Sequence, residues 1–334
     1  MSNRKHSRLK AFLGFTTSLI FFIVACWIIF SRQFIIDQFN VWQYKPSSDI
    51  AAIAQSSTMT DSGRFYFYAS DPAIETATDF NANCQRLEPQ NAILGCYSNM
   101  KIYVYNVDNS QLDGIEEVTA AHETLHAIWD RMSDSERQSI GELLDKEYSK
   151  INDQSLGDRM NYYGRNEPGE RLNELHSILG TEYANLDSEL EAHYNKYFSN
   201  RSKLVAYHTN YQTVFNNLKV QSEALLKVVQ SMKADLDART AKYNSDAASL
   251  QSDYDSFSAR SDEVDLTSSS EVDQYNAELA DLRVRANQLE KERNTIISLQ
   301  TEYNSKVTEY NKLVVASNNL IKSVDSTLES SPSL

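Results

Sequence analysis

The sequence predicts an N-terminal transmembrane helix, a small α+β domain and a long all-helical C-terminal region. Three observations predict this division. Residues 11–30, AFLGFTTSLIFFIVACWIIF, are an apolar run of 20 without a charge. Aromatic and β-branched clusters upstream of about residue 107 give way to helical periodicity from Gly114. No glycine follows Gly180 and no proline lies between Pro168 and Pro332. Roughly 150 residues thus lack both backbone breakers and read as long helix.

As a helix, residues 11–30 would cover about 30 Å, the depth of a bilayer's hydrocarbon core. Residues 1–10 form a basic tail, and residues 1–32 hold five basic side chains (Arg4, Lys5, Arg8, Lys10, Arg32) and no acid. The positive-inside rule then leaves the N-terminus cytoplasmic and everything after about residue 32 outside, on a single-pass chain at the cell membrane. A cleaved signal peptide is the alternative, although the run is long for one and no small-x-small site follows it before Arg32. Ile23-Val24-Ala25-Cys26 also resembles a lipoprotein lipobox, with Cys26 as the modified residue, but bulky Trp27-Ile28-Ile29-Phe30 follows it. Export leaves Cys84 and Cys96 as an even pair in an oxidising compartment, which predicts a disulfide. With 32 Lys+Arg against 46 Asp+Glu, and the basic cluster confined to the N-terminus, nucleic acid is excluded as a partner.

Residues 31–60, with Pro46-Ser47-Ser48, read as a linker, and residues 61–200 as the α+β domain. Strands are expected at 64–68, 92–97 and 101–107, with a turn-rich stretch at 81–91. Val118, Ala121, Leu125 and Ile128 form one buried helical stripe. A second helix starts at a Ser133/Glu136 capping box and continues through Ile140, Leu143 and Leu144. A loop carrying Gly157, Gly164, Pro168 and Gly169 precedes a third helix over about 170–179, which Gly180 would terminate. In residues 201–328 apolar positions recur in alternating steps of 3 and 4, from Tyr211 through Leu225, Leu236 and Tyr254 to Phe257, then from Val272 through Leu282 to Ile321 and Val324. That spacing predicts a coiled coil. A polar stretch at 261–270, with a second capping box at Ser268/Glu271, makes an antiparallel hairpin the economical form. A parallel homodimer, or a coiled-coil partner, is the alternative. Residues 329–334 are expected to form a flexible tail.

The chemistry lies in Val118-Thr119-Ala120-Ala121-His122-Glu123-Thr124-Leu125-His126, which contains His-Glu-x-x-His. Positions i and i+4 share a helix face, so His122 and His126 can both reach one Zn²⁺. Glu123 beside them can take a proton from water. The uncharged flanks Thr119, Ala120, Thr124, Leu125, Ala127 and Ile128 resemble those of zincin metallopeptidases. Downstream, Asn173-Glu174-Leu175-His176-Ser177 resembles the Asn-Glu-x-x-Ser/Ala element of the gluzincin class, although Ile178 replaces the acid usual after it.

That resemblance implies an α+β zincin-like domain with a small antiparallel or mixed sheet, and Glu174 as third zinc ligand, with Glu182 and His176 as rivals. It further implies hydrolysis of a peptide or protein substrate with Glu123 as general base, held extended along an edge strand for which 101–107 is the candidate. An oxyanion stabiliser is expected among Tyr162, Tyr163 and His193. The alternative function is a non-catalytic surface coiled-coil scaffold with a zincin-like metal-binding domain.

Overall fold

In the computed structural model, residues 16, 18–29, 31–84 and 92–327 are described. The chain divides into two compact units, residues 1–214 with 320–334, and residues 215–319. The architecture is predominantly helical, with one small sheet.

The first unit opens with α1 (Ser18–Ile29) and α2 (Arg32–Gln43), bent by 68° to one another. Among the described residues no single helix is long and apolar enough to cross a membrane, and this bent pair meets the length and composition of a span only together. Residues 11–15, 17 and 30 of the expected span lie outside the described residues. The stretch read as a linker is instead ordered. After α2 comes α3 (Ser48–Ser56), capped by Ser47, and its Ile50, Ile53 and Ala54 enter the core.

Residues 64–68, expected as a strand, belong to helix α4 (Asp61–Ala69). Its consecutive aromatics have high strand propensity, but the Thr60 side chain accepts from the Gly63 N–H and sets a helix start that propensity alone does not reveal. Phe67 is fully buried there.

Three strands follow: β1 (Ala73–Glu75), β2 (Gly95–Ser98) and β3 (Lys101–Tyr105). They form a mixed sheet in the order β1-β3-β2, with β1 parallel and β2 antiparallel to β3. Ile102 and Val104 of β3 are buried. Helix α5 (Ala77–Asn83) leads to Cys84, which is disulfide-bonded to Cys96 of β2. The rest of the expected turn-rich stretch, residues 85–91, lies outside the described residues.

Helix α6 (Ile115–Arg131) packs against β2 and β3 and also against α9 (Arg171–Glu182), with Val118, Ala121, Leu125 and Ile128 all buried. Helix α7 (Asp134–Tyr148) begins at the Ser133/Glu136 capping box. The expected glycine loop is in fact helix α8 (Gln154–Asn166), capped by Asp153. Gly180 does not end α9 but lies within it. A Cβ there would come within 2.4 Å of Leu125 Cδ1 and 2.8 Å of Tyr194, so the glycine marks close helix packing rather than a stop. Helix α10 (Ser188–Tyr194) completes the domain.

Two long helices, α11 (Arg201–Ala259) and α12 (Ser269–Val324), follow, joined by residues 260–268. In the second unit they run antiparallel: Arg239 Nη1 lies 3.0 Å from Glu292, Arg285 Nη1 lies 2.8 Å from Asp253, and Phe257 stacks on Tyr275 with centroids 4.4 Å apart. The seam departs from the expected register at Tyr254 and Ile321, which are exposed, while Leu320 is buried. The capping box expected at Ser268/Glu271 takes another form, in which the Glu271 carboxylate accepts from the Asp265 N–H. The end of α12 belongs to the first unit, where Ser326 and Asn81 exchange hydrogen bonds of 2.8 and 2.7 Å.

One buried ion pair ties α2 to α6. Arg131, in the last turn of α6, donates to both oxygens of Asp37 at 2.9 and 2.8 Å, and both side chains are almost completely buried. Removing one partner would strand the other charge, so Asp37→Ala is expected to cost about 3–5 kcal/mol. Hydrogen exchange at the α6 amides would read this directly; an effect below about 1 kcal/mol would mean that the pair behaves as an exposed one.

Candidate metal centre

α6 is buried on nearly every face, so each polar residue it carries needs a partner inside the fold. His122 and His126 lie one turn apart, with ring centroids separated by 4.8 Å. Their partner comes from the first turn of α9. Glu174 places one carboxylate oxygen 3.7 Å from His122 Nε2 and the other 3.5 Å from His126 Nε2. One ligand atom from each of the three residues lies within 4.8 Å of the other two, and the group could hold a metal ion.

The orientation of His126 is set from behind. Asn173 donates through Nδ2 to Glu170 at 2.8 Å, which turns its amide oxygen toward His126 Nδ1 at 2.9 Å. A carboxylate accepts only, so the amide cannot be reversed; His126 donates from Nδ1 to the Asn173 oxygen, which turns Nε2 toward Glu174. Such a relay fixes both tautomer and ring orientation in a metal-binding histidine. The donor set and its support therefore fit a divalent cation.

The charges of these groups act strongly on one another. Burial pulls the His122 pKa down, but the carboxylate of Glu174 beside it and the charges of Glu123 and Glu182 outweigh burial and raise it. Burial opposes ionisation of Glu174, yet His126 and His122 together hold its carboxyl at about 2. Glu123 is raised, chiefly by burial, against the pull of both imidazoles and a backbone hydrogen bond from Tyr97.

Strand β2 lies directly over this helix. A Cβ on Gly95 would come within 2.5 Å of Thr119 Cγ2 and 2.8 Å of Glu123 Oε1, so only glycine lets the strand approach so closely. The expected edge strand at 101–107 is corrected by the sheet order: β3 is central, paired on both sides, and β2 is the edge strand that lies over α6. A glycine inside a strand pattern was the available signal for this approach.

The remaining predicted residues lie elsewhere. Glu182 is engaged by Arg159 at 2.8 Å and lies 3.6 Å from His208 of α11. His176 is completely buried, with its Nε2 2.9 Å from that of His193 and its ring between Trp129 and Tyr194. Neither rival joins the donor group, and His193 belongs to this second histidine pair. Tyr162 and Tyr163 pack edge to face on α8 with centroids 5.5 Å apart. Asn173 stands in the Asn-Glu element of the sequence, but its contact with His126, like the parts played by Glu170, Gly95 and His208, depends on the fold.

Comparison with known proteins finds no relative: no family model, no curated protein and no solved structure matches the chain.

Two outcomes are expected. His126→Ala or Glu174→Gln should abolish stoichiometric metal in dialysed protein, and Asn173→Ala should weaken metal affinity about 10–100-fold without removing a ligand; equilibrium competition against a chromogenic chelator would measure both. The second concerns the His176–His193 pair. Burial, then the neighbouring His193, drives His176 well down, and burial with Lys196 lowers His193 to about 4. Both are depressed bases, so the unfolded chain takes up protons first as pH falls. Stability present above about 6.5 is lost between there and about 4. Replacing both with Phe should flatten the decline in thermal stability over that interval, and an undiminished slope would locate its origin in other groups.

Proposed function

We propose that the protein is a membrane-tethered, extracytoplasmic zinc metallopeptidase of gluzincin type. The observation that carries this reading is the convergence of His122, His126 and Glu174 around a buried Glu123 on the face of α6 covered by an edge strand. Two imidazole nitrogens and one carboxylate are the ligand set expected for a catalytic zinc with an open fourth position. When bound, that ion would supply Lewis-acid polarisation of a scissile carbonyl and acidify water.

The chain's own residues supply the rest. Glu123 is buried and raised in pKa, which suits a carboxylate for accepting a proton from the attacking water. As the water oxygen bonds to the carbonyl carbon and the C–N bond breaks, the same carboxyl returns that proton to the departing amine. β2 has one edge bound to β3, and among the described residues no strand pairs with the other. An extended peptide added there would lie across Glu123 and receive backbone hydrogen bonds. The apolar stretch around α1 would tether the domain outside the membrane, in accord with the Cys84–Cys96 disulfide. The paired helices would serve as a spacer or as an arm for a coiled-coil partner.

Glu123→Gln is expected to retain one equivalent of metal and to lose peptide hydrolysis by at least about 100-fold. Gly95→Ala should lower hydrolysis as well, because the added methyl displaces Glu123 or Thr119. Peptide-library cleavage with metal analysis on the same samples would read both. Unchanged cleavage in Glu123→Gln would refute the assignment, and metal binding without cleavage in the wild type would favour the non-catalytic scaffold.

A further inference from the structure

Helix α2 is built inside out. Polar side chains anchor it to the domain: Asp37 is 2% exposed and paired with Arg131, Asn40 donates to the Ala69 carbonyl at 3.1 Å, and Gln33 donates to Asp37 at 3.0 Å. Ile36 and Val41 are partly covered and the Phe34 ring lies 6.1 Å from that of Phe65, but the other large apolar side chains point outward. Phe34 is 56% exposed, Phe39 52% and Trp42 79%, with Ile35 beside them. At about 100° per residue, Ile35, Phe39 and Trp42 fall on one stripe, with Phe34 at its flank. Gln38 and Gln43 are the polar residues within or beside this face, and the charges at its margins, Arg32 and Lys45, are both basic. A helix that turns acid and amide inward and aromatic rings outward is not folded for water on its outer side.

What covers this face follows from the chain preceding it. α1 ends at Ile29 and α2 begins at Arg32, so the two helices are separated by two residues. α1 is itself exposed and apolar, with Phe21, Phe22, Trp27 and Ile29 all open. If α1 enters a bilayer, α2 can stand no more than a few ångströms from its surface. The 68° bend turns α2 away from the α1 axis, as required for a helix lying in the interface after one that inserts. Aromatic rings flanked by basic residues are the composition favoured at headgroup depth.

We infer that α2 is an interfacial helix whose Phe34–Ile35–Phe39–Trp42 face is immersed in the lipid surface. This rests on the tether in the proposed function and goes beyond it, because it fixes where the metal centre sits. Asp37 grips Arg131, and Arg131 follows His126 by five residues on α6, about 8 Å along the helix axis. The centre is thereby held beside the bilayer, and the substrates it reaches are membrane-proximal segments rather than freely diffusing ones.

The test uses the full-length chain in a Cys26→Ser background, where the disulfide-bonded Cys84 and Cys96 are the remaining cysteines. It is reconstituted into phosphatidylcholine vesicles containing a minor fraction of phosphatidylglycerol. Nitroxides are attached singly through Phe39→Cys, Trp42→Cys, Phe22→Cys on α1 and Val228→Cys on α11. Labels at 39, 42 and 22 are expected to collide several-fold more with oxygen than with an aqueous nickel chelate, and the label at 228 to show the reverse. An aqueous profile at 39 and 42 with a lipid profile at 22 overturns the inference and spares the tether. An aqueous profile at 22 overturns the tether and the inference with it. Low access to both reagents at 42, with spin–spin broadening, would mean that a second copy covers the face, and this also overturns the inference.

Discussion

The first unit is organised by the burial of one polar helix. α6 presents Val118, Ala121, Leu125 and Ile128 to the core, and among them it carries two imidazoles and a carboxylate that are also withdrawn from water. Burying those groups unpaired would cost several kcal/mol each. The fold answers by bringing α9 against α6 at Gly180, where a side chain would collide with Leu125, and this contact delivers Glu174 and Asn173 to the two histidines. On the sheet side Gly95 lets β2 close over Glu123. Two glycines therefore set the distances at which the polar groups of α6 meet their partners.

That dependence explains what the sequence revealed and what it concealed. The 3.6-residue stripe of α6, the Ser133 cap and the spacing of α11 and α12 are local regularities, and each was visible without a fold. The strand at 64–68 was misread because consecutive aromatics favour strands, whereas a cap at Thr60 and the burial of Phe67 decide for helix. The 31–60 segment was misread for a different reason. α2 has no inward apolar stripe to detect; its stabilising contact is an ion pair with a residue 94 positions away. In α8, the side of Gly157 faces open space, so that glycine signalled neither loop nor contact. The edge strand was misplaced because the parallel pairing of β1 with β3 is a long-range choice with no local signature.

The Asn173–Ser177 segment of α9 divides two histidine systems by helix geometry alone. Glu174 and His176 are about 200° apart around the axis. Glu174 therefore meets the His122–His126 pair while His176 is buried against His193, Trp129 and Tyr194. The two systems hold opposite charge states. Glu174, held at about 2, remains anionic and draws positive charge toward His122, whereas burial pushes both His176 and His193 toward neutrality, with His193 acting on His176 and Lys196 on His193. Two cationic pairs on adjoining faces of one helix would repel across a medium of low effective dielectric. Keeping the inner pair neutral leaves the carboxylate of Glu174 free to favour a cation at the outer one. The inner pair thus acts on the centre through electrostatics and through the position of α9, without supplying a ligand, and this is why His176 fits the role of support better than that of a rival to Glu174.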